Sequence, residues 1–405
     1  MISLEDALAS YAQNLRALPA ETVPVTQALN RVLAEAQNST TDLPRFDQSA
    51  MDGYAFRAAD IAAAGTAAPV RLPVAVHLPA GTHEHLAALS AHTAARILTG
   101  APMPPGADTM IPQERVTLDG DTLVFTEPFA ARKNVRYRGE ELKQGAFIAA
   151  AGQRVTPGLL ASLINAGLHH VRVTRLPRIH VLITGDEIRP VGATLRPGEI
   201  HDSNGPMIGA VLQHWGYPPP VVEHVLDDAA VVKTVLERAY AEADLVISAG
   251  GASVGDHDFL PATAEALGMR RVFWKVAQKP AKPLFFGVHR NRVHLALPGN
   301  PGAVLISLAL HVRRALDCLE GLAQPGPAWN HARLAETVER DAQRVRLLRM
   351  RLDHAEDGTA LLHPLPKQDS HMLSNLASAQ VLAWVPLGDG DCAAGTVLRW
   401  TALPD

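Results

Sequence analysis

Three lysines in the stretch KVAQKPAKP have the type and spacing to bind an anion. Lys275, Lys279 and Lys282 lie close to Pro280 and Pro283. Proline fixes the backbone φ angle, so such a segment loses little entropy when it is ordered. Three ammonium groups held together repel one another, and a bound oxyanion would remove that repulsion. A solvated surface explains any one of these lysines, but the set predicts an oxyanion site.

The glycine-rich stretch SAGGASVGDHD is a second candidate anion site. Glycine lets backbone N–H groups approach a phosphate closely. Here Gly250, Gly251 and Gly255 offer that freedom, and Ser253 adds a hydroxyl donor. A tight turn between a strand and a helix explains the glycines equally well. The glycines alone therefore leave both interpretations open.

Two pairs of acidic residues follow predicted strands. Asp186 and Glu187 end the stretch RIHVLITGDE, and Asp256 and Asp258 end the glycine-rich stretch. Beside phosphate-binding glycines, such carboxylates are typical of a magnesium site in which the ion bridges carboxylate and phosphate. Helix capping would need only one acid of each pair. We therefore expect metal binding here, with hydroxyl binding as the alternative for the first pair.

The surrounding elements place these stretches at one edge of a sheet. From about residue 175, strands alternate with helices, which predicts a parallel, doubly wound α/β sheet. Such sheets bind ligands outside the carboxyl ends of their strands, where TGDEI, SAGGASVGDHD, KVAQKPAKP and LPGNPGA all fall. In GEIHDSN, helix capping explains Ser203 or Asn204. Asp202 is therefore the better candidate for ligand binding.

The chain is too long for one ordinary core, so we expect several domains. The predicted fold is multidomain α/β plus β. Its first helix, over residues 3–17, is amphipathic and capped by Ser3, and Asp119-Gly120 marks a hairpin turn. The predicted domains are a discontinuous helical and mixed linking domain (1–48 and 140–174), an inserted β-rich domain (49–139), a central α/β domain (175–323) and a small β-barrel-like C-terminal domain (324–405).

Composition limits the classes of function. The chain has 405 residues, 47% of them hydrophobic, and a net charge of −4. That charge argues against nonspecific nucleic-acid binding, which normally depends on a basic field. Cys318 and Cys392 lie far apart and no HExxH pattern occurs, so neither a disulfide framework nor a zinc site is indicated. Glu5 and Asp6 stand where a signal peptide would be basic, and no apolar run could span a membrane. We therefore expect a cytoplasmic protein.

Eight ordered motifs, spread over nearly the whole chain, resemble the molybdopterin molybdenumtransferase family, which comprises MoeA and the E domain of gephyrin-like proteins. They are FDQSAMDGYA, ILTGAPMPPGAD, RGEE, TGDEI with GEIHDSN, GGASVGDHD, KPAKP, LPGNP and DSHMLSNLA. The resemblance implies the last step of molybdenum cofactor biosynthesis, in which molybdate is inserted into adenylylated molybdopterin and AMP is released by a magnesium-dependent hydrolysis. It also implies a homodimer whose active cleft lies between the α/β domain of one subunit and the loop-bearing domains of the other.

The resemblance also implies partners and site residues. The partners are the molybdopterin adenylyltransferase and the apoenzymes that accept the cofactor. The implied catalytic residues are Asp52, Thr99, Glu141, Glu187, Asp227, Lys275 and Lys279. The implied molybdate ligands are Lys279, Lys282, Arg349 and Ser370. Adenylylated molybdopterin is expected at Asp202, Gly250, Gly251, Ser253, Gly255, Pro298 and Pro301, and magnesium at Asp186, Glu187, Asp256 and Asp258.

Two departures from the family pattern bear on the site. Ala281 stands where the family usually has glycine, so the loop must be reshaped if that position needs a positive φ. Glu141 stands where aspartate is usual, and its extra methylene moves the carboxylate outward. The alternative to an enzyme is a non-catalytic scaffold that holds the pterin or clusters a partner. Adenylyl transfer to molybdopterin is a third possibility, against which the additional domains argue.

The stretch FDQSAMDGYAFR fits neither a helical nor a strand period. We expect Asp47 and Ser49 to hold its turn through hydrogen bonds from side chain to backbone. By the family resemblance, Asp52 is the acid that belongs to the site. A carboxylate repels molybdate, so we expect Asp52 to orient water or donor groups of the pterin.

Overall fold

The computed structural model describes residues 1–81, 86–251 and 260–404. A six-stranded sheet forms the core of its α/β region. The strands lie in the order Val221–Val225, Ile179–Thr184, Leu245–Ala249, Arg292–Leu297, Phe285–His289 and Arg270–Trp274. A short parallel pair, Ile188–Arg189 with Ile200–His201, lies beyond the end of the second strand.

The first four strands of this sheet are parallel, as the sequence predicts. The last two strands are antiparallel to their neighbours, which is a difference from the prediction. Phe285–His289 and Arg292–Leu297 are joined only by Arg290 and Asn291. A connection of two residues must form a hairpin, because a parallel crossover needs about a dozen residues or more. The strand Leu245–Ala249 is buried throughout, as expected when helices cover both faces.

Helices surround this sheet. They are Leu4–Asn14, Asn204–His214, Ala229–Glu242, Leu260–Ala266 and the run Pro301–Ser307, Leu308–Val312 and Arg313–Glu320, of which the middle piece is π-helical. Asp228 caps Ala229–Glu242 by accepting hydrogen bonds from two backbone N–H groups. Cys318 is buried in the last helix. No helix in the described ranges is long and apolar enough to cross a membrane.

The N-terminal helix packs against the α/β sheet. Ser3 caps it, as predicted, by accepting a hydrogen bond from the backbone N–H of Asp6 at 3.0 Å. Its buried residues, among them Leu4 and Tyr11, belong to the same apolar cluster as the sheet and the C-terminal helices. The helix therefore shares a core with residues that the sequence analysis assigned to another domain. The domain boundaries themselves stay a prediction.

The linking region joins two distant parts of the chain in one core. Its elements are the strand pairs Ala20–Pro24 with His170–Thr174, Gln37–Asn38 with Phe147–Ala149 and Gln48–Ser49 with Val135–Arg136, the 3-10 turn Val25–Gln27 and the helix Pro157–Asn165. Leu33 and Leu43 from the first part pack with Val155 and Leu163 from the second. The intervening residues form a separate sheet, which is the arrangement expected of an insertion.

A second six-stranded sheet contains the inserted residues. Its order is Thr109–Pro112, Gly53–Phe56, Ala94–Ile97, Val70–Leu78, Thr122–Phe125 and Thr117–Asp119, accompanied by the 3-10 turns Ala58–Ile61 and Gln113–Arg115. The predicted hairpin is present, with Asp119 opposite Thr122. Gly120 has a φ of 61°, a conformation that glycine adopts without steric cost.

The C-terminal residues form a small closed barrel. The strand Val345–His354 pairs with both Ala360–Pro364 and Val381–Val385, which closes the sheet on itself. The strands Asn330–Leu334 and Val397–Ala402 complete the barrel. The short strand pair Val338–Glu339 with Asp391–Cys392 and the 3-10 turn Leu376–Ser378 lie outside it. Closure removes the exposed edges that a five-stranded open sheet would leave.

An ion-pair network joins the linking region to the last helix of the α/β region. Arg154 Nη2 lies 2.8 Å from Asp317 Oδ1 and 2.6 Å from Glu320 Oε2. Asp317 and Glu320 are almost fully buried. Removing one member of a buried pair is costly because it leaves an uncompensated charge. The network therefore links two apolar cores that otherwise belong to separate parts of the chain.

The substitution Arg154→Leu should lower the free energy of unfolding by about 3 kcal/mol, because it leaves the two buried carboxylates to share Arg313. Urea denaturation followed by circular dichroism measures the change. Arg172→Leu is the matched control, since Arg172 pairs with Glu35 at 3.4 Å on an exposed surface, where a pair is worth less than about 1 kcal/mol. Equal effects of the two substitutions would contradict the assignment.

Candidate functional site

A pocket of ≈ 380 Å³ lies at the carboxyl ends of three parallel strands. This is the place where the order of elements predicts a site. Its lining includes Thr184, Glu187, Asp202, Asn204, Asp227, Gly250, Gly251, Pro283, Pro298, Asn300 and Pro301. The strand ends carrying TGDEI, SAGG and LPGNP thus meet in one pocket, which we call the strand-end pocket.

The glycines of the strand-end pocket are required by the backbone. Gly250 and Gly251 have φ values of 98° and 59°. A Cβ atom on Gly250 would lie 2.5 Å from the carbonyl oxygen of Thr184, so no other residue fits there without movement. The tight turn therefore requires these glycines. This requirement does not conflict with ligand binding at the same turn. Residues 252–259, with the predicted Ser253, Gly255, Asp256 and Asp258, lie outside the described residues.

Three carboxylates, from Glu187, Asp202 and Asp227, line the strand-end pocket. Asp186 lies beside them, where its Oδ1 accepts a hydrogen bond from the backbone N–H of Asp227 at 3.1 Å. Within the described ranges, no group of three or more His, Cys, Asp or Glu side chains has the geometry to hold a metal ion. The carboxylate oxygens that are present are nevertheless the ligand type that Mg²⁺ prefers.

Asp202 is a structural as well as a pocket residue. It is buried, its Oδ1 accepts a hydrogen bond from the backbone N–H of Gly205 at 2.8 Å, and its Oδ2 lies 2.9 Å from His224 Nε2. Ser203 holds the N-cap position, as expected, but its side chain makes no capping bond, and Asp202 binds the free N–H at the helix start instead.

Asn204 and Thr184 are pocket residues that the sequence analysis did not identify. Asn204 Nδ2 donates to the carbonyl of Gly299 at 2.7 Å and so ties the helix to the LPGNP loop. Its Oδ1, like Thr184 Oγ1, is buried without a hydrogen-bond partner among the described residues. Asn204 stands in the motif GEIHDSN, but a polar residue just before a helix is normally interpreted as a helix cap.

A second pocket, of ≈ 410 Å³, adjoins the first through Pro283, which lines both. We call it the lysine pocket. Its charged lining residues are Lys279, Lys282, Arg344, Arg346 and Asp369, together with Ser370 and His371. Both arginines have acidic partners, at 2.8 Å for Arg344 with Asp341 and 3.3 Å for Arg346 with Glu339.

The lysines of this pocket have no acidic partner among the described residues. In the part of the chain that the structure describes, Lys279 and Lys282 make no ion pair, and both are exposed. Ala281 between them has a φ of 64°, so the position does need a positive φ and alanine adopts it. Lys275 lines neither pocket; its ammonium group lies 4.5 Å from the ring centre of Trp274, a cation–π contact.

Ser370 connects the two pockets. Its Oγ accepts a hydrogen bond from Asn300 Nδ2 at 2.9 Å, and its carbonyl accepts one from the backbone N–H of Gly302 at 2.9 Å. The barrel loop that carries DSHML is thereby bound to the LPGNP loop of the α/β region. Two loops that lie about seventy residues apart in the sequence consequently form one wall.

Arg349 supports this wall from inside. It is 1% exposed, and its guanidinium donates to the carbonyls of Lys367, Asp369 and Met372 at 3.0 to 3.2 Å. Burial lowers the pKa of this guanidinium. Arg349 does not line the lysine pocket, and its position explains the shape of the loop that carries Ser370. Its predicted role as a direct molybdate ligand stays a prediction.

Asp52 and Thr99 bind each other. Asp52 Oδ1 accepts hydrogen bonds from the backbone N–H and the hydroxyl of Thr99 at 2.7 and 2.8 Å, and these bonds lower the pKa of the Asp52 carboxyl. Both residues are exposed, as is Glu141. Among the described residues none of the three lines either pocket. Their expected place in a cleft shared between subunits stays a prediction.

Ser49 holds the turn of FDQSAMDGYAFR as predicted, whereas Asp47 binds a backbone N–H of a distant segment instead of one within the turn. Ser49 Oγ donates to the carbonyl of Met51 at 2.6 Å, and Asp47 Oδ1 accepts a hydrogen bond from the backbone N–H of Arg138 at 2.8 Å. Arg138 belongs to RGEE, so this contact joins two motifs that are distant in the sequence. The irregular stretch is therefore the point where the chain leaves the linking region for the inserted sheet.

Comparison with known proteins agrees with this architecture. Residues 2–167 match the MoeA N-terminal region (domain I and II), residues 180–317 a probable molybdopterin binding domain, and residues 331–403 the MoeA C-terminal region (domain IV). The molybdopterin biosynthesis MoeA protein of Pyrococcus horikoshii OT3 has a similar structure, with a TM-score of 0.82 and 27% identity over 99% of this chain and 100% of that chain.

Named relatives are similar over the full length. Molybdopterin molybdenumtransferase 2 of Mycobacterium tuberculosis (strain CDC 1551 / Oshkosh) is 34% identical over 404 residues, which cover 98% of this chain and 99% of that protein. The molybdopterin molybdenumtransferase of Synechococcus elongatus is 34% identical over 407 residues, or 99% of this chain and 98% of that protein. The match extends through the sheet, the barrel and both pockets, and the chain belongs to the molybdopterin molybdenumtransferase (MoeA) family.

Proposed function

We propose that this protein inserts molybdate into adenylylated molybdopterin and releases AMP, the last step of molybdenum cofactor biosynthesis. The observation that carries the proposal is the contact between the two pockets. One is lined by strand ends and carboxylates, the other by two lysines that have no ion pair among the described residues, and Pro283 lines both. A nucleotide-linked pterin and a small dianion are the ligands that such neighbouring pockets suit.

The lysine pocket would hold molybdate. Molybdate is a tetrahedral dianion, so two ammonium groups neutralise its charge and form charge-assisted hydrogen bonds. Lys279 and Lys282 lie on either side of Ala281, and Ser370 adds a hydroxyl from the opposite loop. Arg344 and Arg346 contribute less, because Asp341 and Glu339 already offset their charges.

The strand-end pocket would hold the adenylylated pterin. The turn at Gly250 and Gly251 brings the backbone close to a ligand. Glu187 and Asp227, with Asp186 beside them, are the described residues that would hold Mg²⁺. Magnesium bound there would neutralise the phosphate groups and stabilise the charge that develops as the P–O bond breaks.

A homodimer would complete the site. Asp52, Thr99 and Glu141 line neither pocket of a single chain. In a twofold dimer each subunit would lend these residues to the α/β region of its partner. We expect the molybdopterin adenylyltransferase to supply the substrate and apoenzymes to accept the product, all in the cytoplasm.

Turnover is tested with purified protein, adenylylated molybdopterin and molybdate. AMP should appear only when Mg²⁺ is present, and chelation should lower the rate by about 100-fold or more, the order expected for loss of charge stabilisation at a phosphate. Tight pterin binding without AMP release would instead support a non-catalytic scaffold. Formation of the adenylate from ATP and molybdopterin would support an adenylyltransferase.

The substitution Lys279→Ala should raise the KM for molybdate by about 10- to 100-fold, the effect of losing one charge-assisted hydrogen bond. AMP binding, measured by calorimetry, should stay nearly unchanged because the strand-end pocket does not contain this lysine. Lys233→Ala is the control, since Lys233 lies on an exposed helix surface near Glu237. Equal losses of molybdate and AMP binding would remove the assignment of Lys279.

Mixing two impaired variants, assayed at a molybdate concentration well below the raised KM of Lys279→Ala, tests the shared cleft. Asp52→Ala and Lys279→Ala homodimers should each be impaired, but subunit exchange produces mixed dimers with one intact site. Random exchange should then restore about a quarter of the wild-type sites, since half of the dimers are mixed and each has one intact site of two. A mixture no more active than its components would contradict a cleft built from two subunits.

A further inference from the structure

A buried chain of hydrogen bonds runs from the N-terminal helix to the lysine loop, residues 275–283. Tyr11 Oη lies 3.1 Å from His311 Nδ1, and His311 Nε2 lies 3.0 Å from Gln278 Oε1. Gln278 Nε2 then donates to the carbonyl of Ala281 at 2.9 Å. The three side chains are 0% exposed. Of the four residues in this chain of hydrogen bonds, the sequence motifs pointed only to Ala281.

The direction of every bond in the chain follows from its last member. The Ala281 carbonyl can only accept, so the amide nitrogen of Gln278 must face it and Oε1 must face His311. His311 therefore carries its proton on Nε2, and its Nδ1 accepts a hydrogen bond from the Tyr11 hydroxyl. Burial lowers the pKa of His311 to about 3 and raises that of Tyr11, so both remain neutral and the arrangement is fixed near neutral pH.

The chain of hydrogen bonds ends at the backbone carbonyl of Ala281, in the segment that carries Lys279 and Lys282. Ala281 lies between Lys279 and Lys282 in the sequence and has a φ of 64°, a conformation disfavoured for alanine by about 1 to 2 kcal/mol. Such a conformation persists only where surrounding contacts hold it. The bond from Gln278 to the Ala281 carbonyl is one of these contacts. His311 lies on the π-helical piece Leu308–Val312, an irregularity that is frequent at functional sites.

We propose that Gln278 and His311 are positioning residues that fix Lys279 and Lys282 for the oxyanion. This inference rests on the proposed function, and it assigns a role to His311, which lines neither pocket, and to Gln278, a buried residue in the lining of the lysine pocket. Rotation of the Gln278 amide would release the Ala281 carbonyl and let the two ammonium groups separate. The lysine pocket would then bind a tetrahedral dianion less tightly, while the strand-end pocket would be unaffected.

A second buried histidine, on the strand Arg292–Leu297 of the α/β sheet, provides a matched control. His294 is also 0% exposed, and burial lowers its pKa to about 3. It lies between Tyr240, at 2.7 Å, and Ser248, at 3.0 Å, and neither partner belongs to the lysine loop. The variant His294→Phe should therefore lose a comparable buried network without changing oxyanion binding.

The test compares His311→Phe, His311→Gln and His294→Phe. Tungstate binding by calorimetry and the KM for molybdate in AMP release are measured for each. His311→Phe should weaken tungstate binding and raise the KM about 10-fold, with kcat within about twofold at saturating molybdate. His311→Gln keeps an amide N–H near the position of Nε2 and should recover most of the affinity. His294→Phe should bind tungstate like the wild type while losing thermal stability.

Three outcomes would overturn the inference. They are an unchanged tungstate affinity in His311→Phe, an equal loss in His294→Phe, and no recovery in His311→Gln. If His311→Phe does not fold, Gln278→Met takes its place with the same expected loss. A wild-type protein that binds tungstate but releases no AMP would overturn the proposed function alone, because the comparison of tungstate affinities still decides the positioning role. A wild type that binds no oxyanion would overturn both.

Discussion

The parallel pairing of Gln278–Lys279 with Val345–Arg346 is the interaction on which the candidate site depends. The strand Gln278–Lys279 belongs to the α/β region, but it extends the sheet of the C-terminal barrel. On its other side, the backbone N–H of Ile2 donates to the carbonyl of Lys275 at 3.0 Å, and that of Ala277 donates to the carbonyl of Ile2 at 2.8 Å. The N-terminus and the C-terminal barrel thus hold one short loop of the α/β region between them.

This arrangement concentrates positive charge in a chain that carries a net charge of −4. The arginines at the lysine pocket are offset by their own acids, whereas Lys279 and Lys282 are left for a ligand. At the strand-end pocket the balance is reversed, with Glu187 and Asp227 in the lining. Local placement of charge therefore decides which ligand suits each pocket, and the overall charge of the chain does not.

The sequence predicted those features that depend on local geometry or on a run of like residues. The Ser3 cap, the hairpin turn at Asp119-Gly120 and the glycines after Leu245–Ala249 follow from what single residues allow the backbone to do. The positions of the strand-end motifs followed from the alternation of strands and helices, because parallel strands end at the same edge. One strand, Phe285–His289, runs against the rest of the sheet, because its two-residue connection to Arg292–Leu297 forms a hairpin.

What the sequence by itself determined is which residues could carry charge and where the strands end, because side-chain chemistry and periodicity are local properties. The tertiary structure alone decided that Asp202 caps a helix, that Arg349 supports the loop of Ser370, and that a buried histidine reaches the lysine loop. Gln278 and His311 lie thirty-three residues apart and look like ordinary members of apolar elements in the sequence. Their partners are set by packing between distant segments, and no local pattern encodes such contacts.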